Sequence, residues 1–109
     1  MTFDGSREIA MIIDELPDSY RKDIRKAIEI LLTEGCTEVY LFGSLARGEF
    51  DENSDIDLAV KGLPRGKYFE VGGKLMMHLH HGIDIIKIDD DHSRFAKIIK
   101  SRNNLIRVA

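Results

Sequence analysis

The pattern of hydrophobic and polar positions predicts two helices at the start of the chain. Apolar residues recur three or four positions apart over residues 7–16, and Pro17 ends this first helix because proline disfavours helical geometry in the residue before it. A second helix is predicted to begin at Asp18 or Ser19, either of which can cap it, and to stop at Gly35. Its apolar face consists of Tyr20, Ile24, Ala27, Ile28 and Leu31.

The rest of the chain alternates between short apolar runs, which predict strands, and segments with helical spacing. Strands are predicted at about residues 38–42, 56–60, 83–88 and 105–108, and helices at about residues 67–80 and after Asp91. Gly72 and Gly73 together cost a helix interior about 2 kcal/mol relative to alanine, so tertiary packing compensates, or the helix is kinked or starts late. Residues 83–88 are apolar on both faces, which predicts a central place in the sheet.

This order of elements, α-α-β-β-α-β-α-β, predicts an α/β or α+β fold. Because no crossover helix separates the first two strands, we expect a small mixed β-sheet flanked by helices. A chain of 109 residues with 43% hydrophobic residues has the size of one domain. We therefore assign residues 1–109 to a single domain, with its core at about residues 20–108 and an N-terminal helix at residues 7–16.

Composition and charge narrow the classes of function. Nineteen acidic against sixteen basic residues give a net charge of −3, so nucleic acid is not an expected partner. No apolar run approaches the length that crosses a membrane, and the single cysteine, Cys36, cannot close a disulfide within the chain. Because the N-terminus also lacks the pattern of a secretory signal, we expect a cytoplasmic location.

The stretch from Val39 to Val60, VYLFGSLARGEFDENSDIDLAV, carries the candidate chemistry. A strand stops at Gly43 and Ser44, where backbone amides at the start of a helical turn and the serine hydroxyl form a cradle for an anion. Side chains two positions apart on a strand point the same way, so Asp55 and Asp57 project side by side. Their hard oxygen atoms suit Mg²⁺, and the two halves together suit a metal-bound nucleoside triphosphate.

A third carboxylate would complete a reaction centre with two metal ions. Asp84 lies between two isoleucines in the third predicted strand, and a buried strand is a costly position for an unpaired charge. Two ions held by Asp55, Asp57 and Asp84 would clamp the triphosphate and align an acceptor hydroxyl for in-line attack on the α-phosphate. Asp89 is the nearest substitute for Asp84.

Arg47 lies on the same loop and is a candidate to neutralise phosphate charge. An arginine that follows a tight turn can instead pair with a nearby acidic side chain, here Glu49 or Asp51. The sequence leaves both interpretations of Arg47 open.

The central motif resembles that of a known superfamily. The dipeptide Gly43-Ser44, ten intervening residues and the tripeptide Asp55-Ile56-Asp57 are similar to the signature of the DNA polymerase β-like nucleotidyltransferases. The longer string GSLARGEFDENSDIDLAV resembles their smallest members, the minimal nucleotidyltransferases. The resemblance covers about residues 20–108 and is specific in the central motif.

This resemblance implies the polymerase β-like fold and a role for each candidate residue. Ser44 is expected to contact the triphosphate, and Asp55 and Asp57 are expected to bind both Mg²⁺ ions. Asp84 is expected to be the third catalytic carboxylate. The cofactor implied is Mg²⁺, with two ions in each active site.

The resemblance also implies a reaction and a partner. Minimal nucleotidyltransferases of this kind are often encoded beside a helical HEPN-domain protein and act with it as antitoxin and toxin, adding adenylyl groups from ATP to a tyrosine of the toxin. The chain is thus expected to transfer AMP from ATP to a hydroxyl of a partner protein. Since no second domain fits in the chain, another subunit of a homo-oligomer or the partner is expected to complete the acceptor site.

Two other functions compete with this interpretation. An antitoxin that neutralises its partner by contact alone has no physical need of three converging carboxylates. A transferase acting on a small molecule such as an aminoglycoside is disfavoured because the chain has no room for a second domain that binds the acceptor. Both alternatives predict results that differ from those of a protein-modifying enzyme.

Overall fold

The structure is a computed structural model, which describes residues 13–88 and 105–109. Its elements are α1 (Asp18–Thr33), β1 (Glu38–Phe42), α2 (Gly43–Arg47), β2 (Ile56–Lys61), α3 (Tyr68–His78), β3 (Ile83–Lys87) and β4 (Ile106–Arg107). These bounds agree closely with the predicted elements. The predicted helix at residues 7–16 lies largely outside the described residues, and the predicted helix after Asp91 lies wholly outside them.

The strands form a mixed sheet in the order β3-β2-β1-β4. β1 runs antiparallel to β2 and to β4, whereas β2 and β3 are parallel. The mixed sheet flanked by helices confirms the predicted fold class. None of the helices within residues 13–88 and 105–109 is long and apolar enough to cross a membrane.

One face of the sheet packs against α1 and α3 and forms the main core. Strands contribute alternate residues to this face, since side chains along a strand point to opposite sides. The buried core residues on these elements include Tyr20, Ile24, Ala27, Leu31, Val39, Leu41, Ile56, Leu58, Val60, Val71, Leu75 and Ile85. Asp57 lies between Ile56 and Leu58 and therefore projects from the opposite face, beside Ala59 of a second small apolar cluster.

The two ends of α1 are set by different interactions. No side-chain cap forms at its start, where Pro17 occupies the cap position, so the capping predicted for Asp18 or Ser19 is wrong. Asp18 instead pairs with Arg21 one turn along the helix. Gly35 has a φ of +113° and lets the chain leave the helix, as predicted.

The sequence pattern predicts a central place for β3, and this is wrong for the sheet that the described residues form. β3 pairs with β2 alone, and the Tyr68 hydroxyl donates a hydrogen bond of 2.7 Å to the Ile85 carbonyl. The apolar character of both faces has another cause. Ile85 faces the main core under α3, whereas Ile86 packs in the small cluster on the opposite face. An apolar pattern on both faces indicates that other residues pack above and below a strand. It does not indicate whether further strands pair with it on both sides.

α3 runs through Gly72 and Gly73 without a break. Val71 and Leu75 flank the glycine pair and are fully buried, so tertiary packing compensates for the low helical propensity of glycine. Tyr68 at the start of α3 is 41% exposed, and its hydroxyl reaches the backbone of β3. Packing on one side of the helix thus offsets the loss of about 2 kcal/mol that the two glycines cause.

Candidate functional site

The predicted carboxylates gather at one end of the sheet. Asp57 and Asp84 are register partners on the parallel strands β2 and β3, so their side chains leave the same face. Asp55 comes directly before β2 rather than within it. Asp84 is exposed, not buried as its place between two isoleucines suggested, because β3 lies at an edge of the described sheet. Asp89 lies outside the described residues.

Asp57 is the electrostatic centre of this cluster. Partial burial raises its pKa, and the negative charges of Asp84 and then of Asp55 raise it further, while the positive charge of Arg47 acts in the opposite direction. Like charges held together in this way repel one another at neutral pH. A bound cation would remove that repulsion, which is the usual condition of a metal-binding carboxylate cluster.

Two glycines make room for the carboxylates. Gly43 follows β1 with a φ of +73°, and a Cβ atom built there would overlap the Asp57 Oδ2 atom and lie 3.0 Å from its Cγ. A Cβ atom at Gly82 would overlap the Asp55 Oδ1 atom in the same way. Each aspartate therefore lies directly against glycine backbone, and a Cβ atom at either position would displace the carboxylate from its present place.

Ser44 and Arg47 lie in α2, the short helix that follows Gly43. No partner of the Ser44 hydroxyl is found among residues 13–88 and 105–109, so that hydroxyl can donate to an incoming phosphate. The Arg47 Nε atom lies 3.2 Å from Glu49 Oε2, which is one of the two pairings that the sequence left open. Its charge nevertheless acts on Asp57. The roles of both residues toward phosphate stay predictions.

Tyr20 connects α1 to the loop in front of Asp55, and sequence analysis assigned it only to the core. Its hydroxyl lies within hydrogen-bonding distance of the Asp51 and Ser54 carbonyl oxygens. Its ring stacks on the His81 imidazole with centroids 3.7 Å apart. Burial and the charges of Asp51 and Asp55 raise the pKa of the Tyr20 hydroxyl. Tyr20 thus holds the segments that lead into Asp55 and Gly82.

Asp23 is the second positioning residue that sequence analysis missed. It is only 2% exposed, and its Oδ2 atom accepts hydrogen bonds from the backbone amides of His80 at 2.9 Å and His81 at 2.8 Å. These bonds hold the turn that leads into Gly82 and β3. A signal was present, since Asp23 lies three residues after Tyr20 on the apolar face of α1, where a charged residue requires a specific partner.

Replacing Asp23 with alanine is expected to lower the free energy of unfolding by about 2–3 kcal/mol, because two sheltered backbone amides lose a charged acceptor. Urea unfolding followed by circular dichroism measures the change. Asp23→Asn retains one carbonyl acceptor and should lose about half as much. Glu29→Ala on the exposed face of α1 is the control, with an expected change within about 0.5 kcal/mol. Equal losses for Asp23→Ala and Glu29→Ala would contradict this role.

The donor set matches the ligands that Mg²⁺ uses. Within residues 13–88 and 105–109, no three His, Cys, Asp or Glu side chains already have the arrangement of a metal site. Mg²⁺ does not require one, because it commonly takes one or two carboxylates and completes its octahedron with water and phosphate oxygens. The repulsion on Asp57 and the two glycine contacts also agree with a cation-binding role.

Most of the chain matches the model of a known protein family. Residues 25–108 match the family described as Polymerase beta, Nucleotidyltransferase. The chain belongs to this family. The resemblance found in the central motif is thus confirmed, and the match includes all four strands and Asp55, Asp57 and Asp84.

A sequence relative and two solved structures are similar to the chain. A protein of Methanocaldococcus jannaschii, named "Putative protein adenylyltransferase MJ0141", is 44% identical over 39 residues, which are 36% of this chain and 39% of the relative. A toxin-antitoxin structure with AMP-PNP superposes with a TM-score of 0.63 at 24% identity, over 78% of this chain and 71% of that chain. A structure of the toxin-antitoxin MntA-HepT superposes with a TM-score of 0.59 at 21% identity, over 82% of this chain and 71% of that chain. The two superpositions show a shared fold.

Proposed function

We propose that this nucleotidyltransferase depends on Mg²⁺ and transfers AMP from ATP to a hydroxyl of a partner protein, as the antitoxin of a HEPN-type toxin. The observation that carries the proposal is the placement of Asp84 beside Asp57, with the Asp57 carboxylate against the Gly43 backbone. The similarity to a protein named as an adenylyltransferase and to toxin-antitoxin structures, one with AMP-PNP, supports this choice of donor and partner. A cytoplasmic location belongs to the same proposal.

Each residue has a defined task in the proposed reaction. Asp55, Asp57 and Asp84 are the residues that would hold two Mg²⁺ ions, whose chemistry there is to offset phosphate charge and to ease deprotonation of the acceptor hydroxyl. The Ser44 hydroxyl donates a hydrogen bond to the triphosphate, and the Gly43 backbone lets the phosphates come close to Asp57. The acceptor oxygen bonds to the α-phosphorus, the bond to pyrophosphate breaks, and the acceptor proton is released.

Arg47 can assist only after its side chain moves. Its guanidinium is exposed and pairs with Glu49 through one nitrogen, and such surface pairs are worth less than about 1 kcal/mol. A triphosphate carries several negative charges and would compete well with one glutamate. We propose that Arg47 exchanges Glu49 for a phosphate oxygen when the nucleotide binds.

Labelled ATP, Mg²⁺ and the product of the adjacent reading frame, as the candidate partner protein, test the proposed function. The native chain is expected to label that protein, and Asp57→Ala is expected to reduce labelling by at least about 1000-fold. Ser44→Ala should reduce it by about 10- to 100-fold, because one donor to the triphosphate is lost, with unchanged thermal unfolding.

Other outcomes identify other functions. If the native chain and Asp57→Ala label the partner equally, or neither labels it, the enzyme proposal fails. If Asp57→Ala also inhibits the toxin as well as the native chain does, contact alone neutralises it. Labelling of an aminoglycoside without any protein partner would make a small molecule the acceptor. Glu52→Gln, which removes an exposed negative charge from the loop before β2, is the control for charge alone.

A further inference from the structure

A groove lies between α3 and the outer edge of β3. Its volume is about 290 Å³, and its α3 wall includes Phe69, Gly72, Gly73 and Met76. Ile83 and Ile85 contribute to the strand side. The four α3 residues follow helical spacing, so they form one continuous stripe along the helix. One wall of the groove is therefore a continuous stripe along α3.

The exposed apolar side chains of this stripe do not serve the core. Phe69 is 87% exposed and Met76 is 76% exposed, although both are large apolar residues. Between them, a Cβ atom at Gly72 or Gly73 would meet nothing within 4 Å. The packing within the described residues thus does not require glycine at either position. Two glycines between two exposed apolar side chains instead leave a space in the wall that another molecule can fill.

Asp84 is the residue that the groove shares with the carboxylate cluster. Asp84 forms part of the groove wall and is also the register partner of Asp57 on β2. Its charge acts directly on the pKa of Asp57. Ile83 and Ile85 face α3, so the Asp84 side chain leaves the opposite face of the sheet. A polypeptide anchored in the groove therefore reaches the carboxylates by passing around the outer edge of β3.

The chemistry of the wall favours a polypeptide over a polar small molecule. Asp84 is the one charged residue among those that line the groove in the part of the chain that the structure describes. A polycationic acceptor would need several acidic groups in the wall. Exposed aromatic and methionine side chains are instead enriched at protein interfaces, where methionine adapts to irregular partner surfaces.

We propose that this groove binds the acceptor polypeptide by an aliphatic or aromatic side chain close in sequence to the hydroxyl that is modified. This inference rests on the proposed function, because it assigns the acceptor side of the same reaction. The side chain fills the space over Gly72 and Gly73, between Phe69 and Met76. Its neighbouring hydroxyl is thereby delivered to the region of Asp84.

Met76 and Met77 provide a matched pair for the test. Both are exposed residues of α3, 76% and 84% respectively, but only Met76 lines the groove. The probe is the partner protein identified by the labelling experiment above, taken from the adjacent reading frame, with labelled ATP and Mg²⁺. Met76→Gln and Phe69→Ala are each expected to raise the KM for this protein by about 10- to 100-fold, with kcat and ATP affinity changed less than about twofold. Met77→Gln should leave all three within about twofold.

A second variant blocks the groove instead of removing its contacts. Gly73→Leu places a side chain in open space on the helix, so the fold is expected to tolerate it. It should raise the KM for the acceptor protein as strongly as Phe69→Ala does, and thermal unfolding should show an unchanged or higher midpoint. An unchanged KM for Gly73→Leu would overturn the proposal.

Direct binding separates failure of the groove from failure of the reaction. The dissociation constant of the acceptor protein is measured by calorimetry in the Asp57→Asn background. Weaker binding for Phe69→Ala and Met76→Gln, but not for Met77→Gln, supports the groove even if the native chain transfers no label. The groove proposal is overturned if all variants bind the acceptor protein equally, or if the changes at Met76 and Met77 weaken binding equally. It is also overturned if the Asp57→Asn parent does not bind the acceptor protein. These outcomes count whether or not label is transferred.

Discussion

Replacement of Asp57 with asparagine is expected to abolish nucleotidyl transfer and at the same time to make the fold more stable. Transfer should fall by at least about 1000-fold, because the amide cannot offer an anionic oxygen to the cation or the reaction centre. The free energy of unfolding should rise by about 0.5–1 kcal/mol, because a partly buried charge beside Asp84 and Asp55 is removed. Gain of stability with loss of activity distinguishes a functional carboxylate from a structural one.

The pH dependence of stability has a definite sign. Burial and the neighbouring carboxylates raise the pKa of Asp57 above that of an unfolded chain, so the folded state binds a proton more readily. The contribution of Asp57 to stability is therefore unfavourable above the folded pKa and is relieved as the pH falls through it. Asp57→Asn should remove this dependence, and its advantage over the native chain should shrink on acidification.

Urea unfolding at neutral and acidic pH measures this difference, and the labelling assay measures transfer. Glu52→Gln also removes one negative charge, but from an exposed loop position. It should change neither the free energy of unfolding nor the rate of transfer. Mg²⁺ alone should stabilise the native chain and have little effect on Asp57→Asn, since a ligand that binds the folded state raises its stability. The assignment of Asp57 as a functional carboxylate would be contradicted if the Asp57→Asn variant kept a tenth of the native activity. It would also be contradicted if this variant were less stable than the native chain.

Gly43→Ala is expected to reduce transfer by about 100-fold, because the new Cβ atom would occupy the space of the Asp57 Oδ2 atom. The carboxylate must move, and a displacement of about 1 Å at a reacting group is enough for a loss of this size. Stability should also fall by about 1–2 kcal/mol, because φ at this position is +73° and a side chain is strained there.

Gly48→Ala is the control that separates these two effects. Gly48 has the same φ of +73°, but a Cβ atom there would meet nothing within 4 Å. The two alanine variants should therefore lose similar stability, whereas only Gly43→Ala should lose transfer. Unfolding midpoints and labelling rates, measured side by side, test this. Similar rates for the two variants would show that contact between Gly43 and Asp57 does not matter for the reaction.

Local sequence patterns were sufficient to predict the structure of the central motif, but they predicted its surroundings less well. The β1 bounds, the short helix after Gly43 and the strand that carries Asp57 follow from apolar alternation and from glycine, which act over a few residues. The predicted mixed sheet was correct: only the short helix α2 lies between β1 and β2, and the two strands pair antiparallel. The predicted roles of Ser44, Arg47 and the carboxylates, and the single-domain assignment, stay predictions.

The errors came from features that depend on what lies beside an element. A strand that is apolar on both faces has the same pattern at the edge of a sheet as at its centre, so β3 was misplaced in the sheet of the described residues and Asp84 was expected to be buried. Asp23 stood on the apolar face of α1, but its partners are backbone amides of His80 and His81 from a distant turn. No periodicity in the sequence encodes such a contact.

The sequence by itself determined the two strands of the stretch from Val39 to Val60, the direction of Asp57 and the glycine turn before Ser44, because these depend on local geometry. Tertiary structure alone decided that Asp84 is the register partner of Asp57, that Gly43 and Gly82 lie against the aspartates, and that α3 leaves an apolar groove along β3. Those features depend on the register and packing of segments far apart in the chain, which local propensity does not specify.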